Sequence, residues 1–211
     1  ENGQPGSITF IGTVSPAGGN LKEPVTESTK KAARCFYALS QPRADSKRYP
    51  AIDPIDSYSK YLEYDEVRSY LNGKIDPHWV DNVYLAKDIL LRGREAFEQI
   101  NILGDDGVPV EYHERYWKSE IIDFVILQQD GFDKVDQSTS IERQHFMLNR
   151  VLGVCAASFR FGGFEEVNPY FKRIINTFKQ MNYSEFNQDA FRGFNDELDR
   201  VLAEREVVNA N

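Results

Sequence analysis

Long apolar runs are missing from this 211-residue chain. None approaches the roughly 18 residues of a bilayer-spanning helix, and no charged-then-apolar leader opens the sequence. Work at a membrane would therefore be that of a peripheral part. Cysteine is scarce: Cys35 and Cys155 lie in apolar stretches without CxxC spacing or a neighbouring histidine. That excludes a disulfide framework and a zinc site, and it predicts two reduced core thiols in a cytosolic protein. His78, His113 and His145 are far apart and none has an i, i+4 partner, so they read as surface or structural residues. Clustered positive charge is absent too, with 25 Lys and Arg against 33 Asp and Glu and a net charge of −8. The longest basic run, Lys30-Lys31 with Arg34 nearby, makes a small solvated patch rather than a groove for phosphates, which excludes nucleic acid as a main partner. Finally, the sequence holds no GxSxG elbow and no dinucleotide fingerprint. Its one Gly-Lys pair, Gly73-Lys74, lacks the upstream glycine of a phosphate-binding loop and is followed by isoleucine. An independent enzyme made of these residues alone is not expected.

What is present is a chain with 41% hydrophobic residues, enough for one full core or a domain plus part of another. GSITFIGTV, residues 6 to 14, is β-branched and aromatic between glycines and predicts a strand buried on both faces. Ser15 to Glu23, with Pro16, Gly18, Gly19 and Asn20, must be a loop. Thr26 is placed to cap a helix whose apolar positions Ala32, Ala33, Phe36 and Leu39 recur at helical spacing. From about Asp56 onward strand signals cease.

Five amphipathic helices are then expected. Asp76-Pro77 opens the first, carrying Val80, Val83, Ala86, Leu90, Phe97 and Ile100 to a stop at Gly104. The second carries Tyr116, Ile121, Phe124, Val125 and Leu127 and ends at Asp130-Gly131. A capping box from Thr139 to Glu142 starts the third, whose apolar face runs through Cys155 and Phe159 to Gly162-Gly163. Asn168-Pro169 starts the fourth, and the fifth begins near Gln188 and buries Phe191, Phe194, Leu198 and Val201. Short connections between such helices predict a bundle. The polar stretch from Glu63 to Asn72 divides the chain into an α/β part, residues 1–62, and a helical part, residues 63–211. The chain opens on Glu1 rather than methionine, as expected of a piece of a longer protein.

Acidic pairs such as Asp105-Asp106 and Glu165-Glu166 are expected in turns, where they solvate the loop. The residues open to a binding role are aromatic. Pro50 biases Tyr49 toward an extended conformation, from which its ring either packs beneath the turn or stands as a stacking platform for a base.

Two segments decide the family. SPAGGNLKEPVT, residues 15 to 26, and RYPAIDPIDSYSKY, residues 48 to 61, resemble the catalytic A subunit of V-type/A-type rotary ATPases, and DFVILQQDGFDKVDQ, residues 123 to 137, resembles the LQQ segment of its helical domain. The resemblance is strong over residues 6–62 and extends through the helices to about residue 150. It implies a mainly α fold, a small remnant of a RecA-like nucleotide-binding domain followed by a C-terminal helical bundle. It also implies that Tyr49 forms one wall of an adenine pocket, with Phe132 closing the other side and Gln128 and Gln129 beside it. Phenylalanine is commoner at the Tyr49 position in A-type subunits; tyrosine departs toward the F-type pattern and keeps the stacking face. Phe124 is a weaker candidate, its expected role being core packing. Gly18, Gly19, Asn20 and Glu23 would face the central stalk, although Glu23 is equally placed to cap the helix that follows.

For the intact subunit the resemblance implies ATP or ADP with Mg²⁺, a ring shared with B subunits, and rotation coupled to H⁺ or Na⁺ movement at the inner face of the membrane. The fragment itself would bind no nucleotide tightly, hold no metal and hydrolyse no ATP. Two other readings are an F-type beta-like or secretion-export ATPase fragment and a standalone helical interaction module. The GGNLKEPVT loop and the SYSKY run favour the A type over the former.

Overall fold

Helical periodicity governs the chain from residue 65 onward. The structure, a computed structural model, describes Gly3 and residues 6–207. Its longest helices follow the expected order: α4 (Trp79–Leu103), α5 (Val110–Ile122), α6 (Ile141–Ala156), α7 (Phe164–Asn182) and α8 (Asp189–Ala203). Before them lie α1 (Pro24–Ala32), β1 (Cys35–Phe36), α2 (Gln41–Asp45), β2 (Tyr58–Ser59) and α3 (Asp65–Lys74). The fold is mainly α, as the sequence predicts.

In the bundle α5 packs against both α4 and α7, and α7 carries α8 on its other flank. The apolar stripe of α7 explains its place at the centre. Phe171, Ile174 and Phe178 are all fully buried, each contributing about 1.5–3 kcal/mol relative to exposure. The α4–α5 crossing is close because Gly93 has no side chain: a Cβ there would lie 1.9 Å from Ser119 Oγ. Arg143, buried at the start of α6, donates to the carbonyls of Met181 and Asn182. It thereby satisfies orphan acceptors at the C-terminus of α7 and places positive charge where the helix dipole favours it.

Helix ends depart from expectation in instructive ways. Asp76 sits just outside α4, its carboxylate accepting from the His78 N–H at 2.8 Å; Gly104 stops the helix with φ 81°. The cap of α6 is Ser140, which accepts from the Arg143 N–H, rather than Thr139 one residue earlier. This helix ends at Ala156, and Phe159 lies beyond it in a bridge to Glu206. Pro169 falls inside α7, five residues after its start, where burial of the stripe outweighs one lost backbone hydrogen bond. Helix α5 widens into a π turn over Asp123–Leu127 and ends there, before Asp130. The polar boundary stretch coils into α3.

Larger corrections fall in the first 60 residues. The strand expected over residues 6–14 is absent: these residues are unpaired coil, with Ile8 99% and Phe10 90% exposed. A strand needs a ladder, and among the described residues none lies beside it. The first helix has Glu23 at its N-cap, with Pro24 at the first position. Thr26 is inside it and fully buried, and its hydroxyl donates to Glu23 Oε1 at 3.0 Å. That helix stops at Ala32, and Cys35–Phe36 pair antiparallel with Tyr58–Ser59 instead of continuing it. Leu39 then bridges to Ile52. The ladder recruits residues whose helical spacing was accidental, and a strand signal persists beyond Asp56.

Candidate functional site

The turn that carries Tyr49 is fixed from two sides. Within the turn, Ser40 caps α2 by accepting from the Arg43 N–H, and the Arg48 N–H donates to the Arg43 carbonyl at 2.8 Å. The Tyr49–Pro50 peptide bond is cis. Asp53 accepts from the N–H groups of Ile55 and Asp56 and pairs with Arg94 of α4 at 2.7 Å. The Tyr49 carbonyl, in turn, accepts from the Gln129 N–H at 2.9 Å, across 80 residues of sequence. Tyr49 and the LQQ segment thus meet through the main chain.

Charge strengthens this junction. Arg43 reaches Asp123 with both terminal nitrogens, at 3.0 and 2.7 Å. Arg48 reaches Glu120 likewise, at 3.1 and 2.7 Å, and also touches Asp123. The Glu120 and Asp123 side chains are only 11% and 7% exposed. Such bidentate pairs combine geometric definition with charge-assisted bonding. Burial pulls the Arg48 guanidinium down, but hydrogen bonds and charge pairing with Glu120 and Asp123 outweigh it and raise its pKa. Nearby Tyr116 is pushed up to about 12, by burial first and then by the Glu120 charge. The Phe124 ring lies between cations, with Arg48 4.5 Å and Lys179 4.4 Å from its centroid. Phe124 is also packed, partly buried, against the hydrophobic core, in keeping with the core-packing role expected of it.

Arg43, Arg48, Glu120 and Asp123 lie at this junction and were not singled out by sequence reading. The available signal was Glu120 and Asp123 three apart on one helix face, matched by two arginines flanking the turn.

Each expected site residue has a definite place. Tyr49 is 53% exposed; its hydroxyl donates to the Ala44 carbonyl at 3.3 Å, which steadies the ring while leaving much of its face open. Phe132 is wholly exposed, on a turn where its N–H donates to Asp130, and among the described residues its ring pairs with no other aromatic ring. Gln129 donates to the Asp136 carbonyl at 2.7 Å. Gln128 and Gln129 line a cavity of about 480 Å³ with Pro50, but neither Tyr49 nor Phe132 does. At the other end, Gly18 and Gly19 adopt φ of 61° and 70° in a short 3-10 turn over Ala17–Gly19, a conformation open to glycine. Asn20 accepts from the Lys22 N–H at 3.0 Å and holds the loop toward Glu23.

As for other chemistry, the described residues contain no group of three or more His, Cys, Asp or Glu able to hold a metal ion. None of their helices is long and apolar enough to cross a membrane. Cys35 and Cys155 are free thiols; burial pushes Cys155 up to about 12. His113 is buried, with Nε2 3.1 Å from the Asp105 carbonyl and its ring stacked on Phe164. Glu165 and Glu166 open α7, where Glu166 pairs with Arg205.

Comparison with known proteins defines the class first. Residues 1–59 match the model of the ATP synthase alpha/beta family, nucleotide-binding domain. The chain is homologous over nearly its whole length to V-type ATP synthase alpha chains. It is 37% identical to that of Treponema denticola over 205 residues, 97% of this chain and 33% of the relative. It is 36% identical to those of Protochlamydia amoebophila, covering 97% of this chain and 34% of the relative, and Chlamydia abortus, covering 100% and 35%. The chain thus spans about a third of the length of the curated relatives it matches, and it is similar to their C-terminal portion. A solved structure of the ATP synthase subunit NeqB from Nanoarcheaum equitans shares the fold, with a TM-score of 0.51 and 19% identity over 66% of this chain and 32% of that one.

Proposed function

We propose that this chain forms the adenine side and the moving helical lever of a catalytic subunit in a V/A-type ATPase or ATP synthase. In that reading the intact subunit binds ATP or ADP with Mg²⁺, sits in a ring with B subunits, and couples nucleotide turnover to H⁺ or Na⁺ transport through a central stalk. The complex is peripheral to the membrane, on its cytoplasmic side. The observation that carries the reading is the junction of Tyr49 with Gln129, locked by Arg43 and Arg48 onto Glu120 and Asp123. Such a junction transmits a contact at the Tyr49 ring into rigid-body displacement of the bundle.

Residues 1–62 then belong to the nucleotide-binding domain and residues 63–211 to the helical domain. The exposed Ile8, Phe10 and Ile11 agree with this, as the apolar side chains of a strand that completes its sheet with residues outside this chain. Tyr49 stacks on the base, Phe132 closes over it from its exposed turn, and Gln128 and Gln129 flank it. The loop of Gly18, Gly19, Asn20 and Glu23 meets the central stalk, since its positive-φ glycines let another backbone approach closely. The parts that move phosphate lie outside these residues, so the chain alone hydrolyses no ATP.

Photolabelling with 2-azido-ADP tests the assignment. The peptide bearing Tyr49 should carry the label, and unlabelled ADP should suppress it. Labelling confined to peptides remote from Tyr49 and Phe132 would refute it, and steady phosphate release by pure chain would refute the claim of inactivity.

A further inference from the structure

Charge at the Tyr49 junction does not balance. Arg43 and Arg48 take up Asp123 and Glu120. Lys179, in the last turn of α7, adds a third cation, and among the described residues it forms no salt bridge and its ammonium donates no hydrogen bond. It is half-buried. Its Nζ lies 4.4 Å from the centroid of the Phe124 ring, which the Arg48 guanidinium also overlies, at 4.5 Å.

That setting works against the ammonium. Two cations share one aromatic ring, so its attraction is divided between them while their charges repel. At the C-terminus of α7, Arg143 rather than Lys179 donates to the carbonyls of Met181 and Asn182. Burial first, and then the Arg48 charge, hold the Lys179 pKa below the ordinary lysine value. Other lysines in the fold are engaged: Lys30 pairs with Glu27, Lys118 with Glu114, and Lys87 donates to the Ser57 carbonyl. An unpaired, partly desolvated lysine beside a second cation is the setting in which an amine becomes a nucleophile near neutral pH.

We propose that Lys179 is a site of Nζ-acylation by small acyl phosphates. The free amine attacks the acyl carbon. The N–C bond forms as the C–O bond to phosphorus-bound oxygen breaks, and inorganic phosphate departs with the electron pair and the displaced amine proton. The product is a neutral amide, which leaves Arg43 and Arg48 matched one to one with Asp123 and Glu120. Acylation thus removes the surplus charge beside Arg48 and tightens the Tyr49 turn against the helices. The proposal stands whether or not Tyr49 stacks on a base.

Acetyl phosphate is the probe, applied to the whole chain near neutral pH, with the rate at each lysine read by peptide mass spectrometry. The exposed Lys22, Lys31 and Lys74 serve as internal standards. The rate at Lys179 relative to theirs should be about threefold or more higher in the native chain than in the guanidinium-unfolded chain, the gain in free amine being partly returned, as for thiols, through weaker nucleophilicity. Amide exchange at Gln129, whose N–H donates to the Tyr49 carbonyl, should slow in the acetylated chain and stay unchanged in treated Lys179→Arg, which keeps the charge and accepts no acyl group. A relative rate no higher than in the unfolded chain, exchange at Gln129 that is unchanged or quicker on acetylation, or slowing that persists in Lys179→Arg would each overturn the proposal. The rate comparison within the wild-type chain requires no variant to fold.

Discussion

Replacing Arg48 by methionine isolates the charge at the junction, since the new side chain still covers the Phe124 ring that Arg48 overlies. Two carboxylates lose a partner, but unequally. Asp123 keeps both bonds from Arg43, whereas among the described residues Arg48 is the only salt-bridge partner of Glu120, whose side chain is 11% exposed. Breaking a buried pair costs about 3–5 kcal/mol when one charge is left uncompensated. Glu120 retains some solvent and Arg48 is itself 21% exposed, so a loss of about 2–3 kcal/mol is expected. Adding Glu120→Gln should recover part of it, giving a coupling of about 1 kcal/mol or more in a double-mutant cycle. Urea unfolding followed by circular dichroism reads the stability. Amide exchange at Gln129, whose N–H donates to Tyr49, reads the junction itself and should quicken in Arg48→Met. A loss below about 0.5 kcal/mol, the range of ordinary surface changes, would refute the reasoning. So would a wild-type advantage that vanishes in about 1 M NaCl, because only exposed pairs are screened so fully.

Three further outcomes follow from other parts of the bundle. Gly93→Ala should destabilise by about 1–3 kcal/mol through collision with Ser119, and Ser119→Gly should restore much of that loss in urea unfolding; no effect of the first change would remove the close α4–α5 crossing. Asp136 has its pKa raised by burial, which favours the protonated folded form, so the native state gains relative stability below the ordinary Asp value of 3.8 and loses it as pH rises through the raised value. Asp136→Asn should therefore have the higher urea midpoint at neutral pH and converge with the wild type in acid, whereas a constant gap across pH would contradict the assignment. Ellman's reagent should label the half-exposed Cys35 in the native chain and reach the buried Cys155 only after denaturation; two native thiols reacting at one rate would count against the core.

The bundle was legible in sequence because each helix buries a stripe of its own residues, so periodicity at Phe171, Ile174 and Phe178 sufficed to place it. Caps were legible to within a residue or two, as Ser140 for Thr139 illustrates. The first 60 residues were not, because their structure depends on partners that local pattern does not reveal. Phe36 and Leu39 fit a helical spacing yet join ladder contacts with Tyr58 and Ile52, and Ile8 and Phe10 read as buried yet are exposed, with no strand among the described residues to cover them. At the candidate site, the family motifs single out the aromatic and glutamine residues as candidates. The four charged residues that tie the Tyr49 turn to the helices were not legible, since the spacing of Glu120 and Asp123 shows two carboxylates on one face but not which arginines, 72 to 80 residues away, they pair with.

Titration of the chain with ADP, observed through the ring resonances of Tyr49, tests most directly whether this turn is the adenine wall. Weak but saturable shifts are predicted at Tyr49, Phe132 and Gln129, kept in Tyr49→Phe and reduced about tenfold or more in Tyr49→Ser, the value of one stacking contact of about 1–3 kcal/mol. Shifts that leave Tyr49 untouched, or an affinity for ADP that Tyr49→Ser does not change, would contradict it.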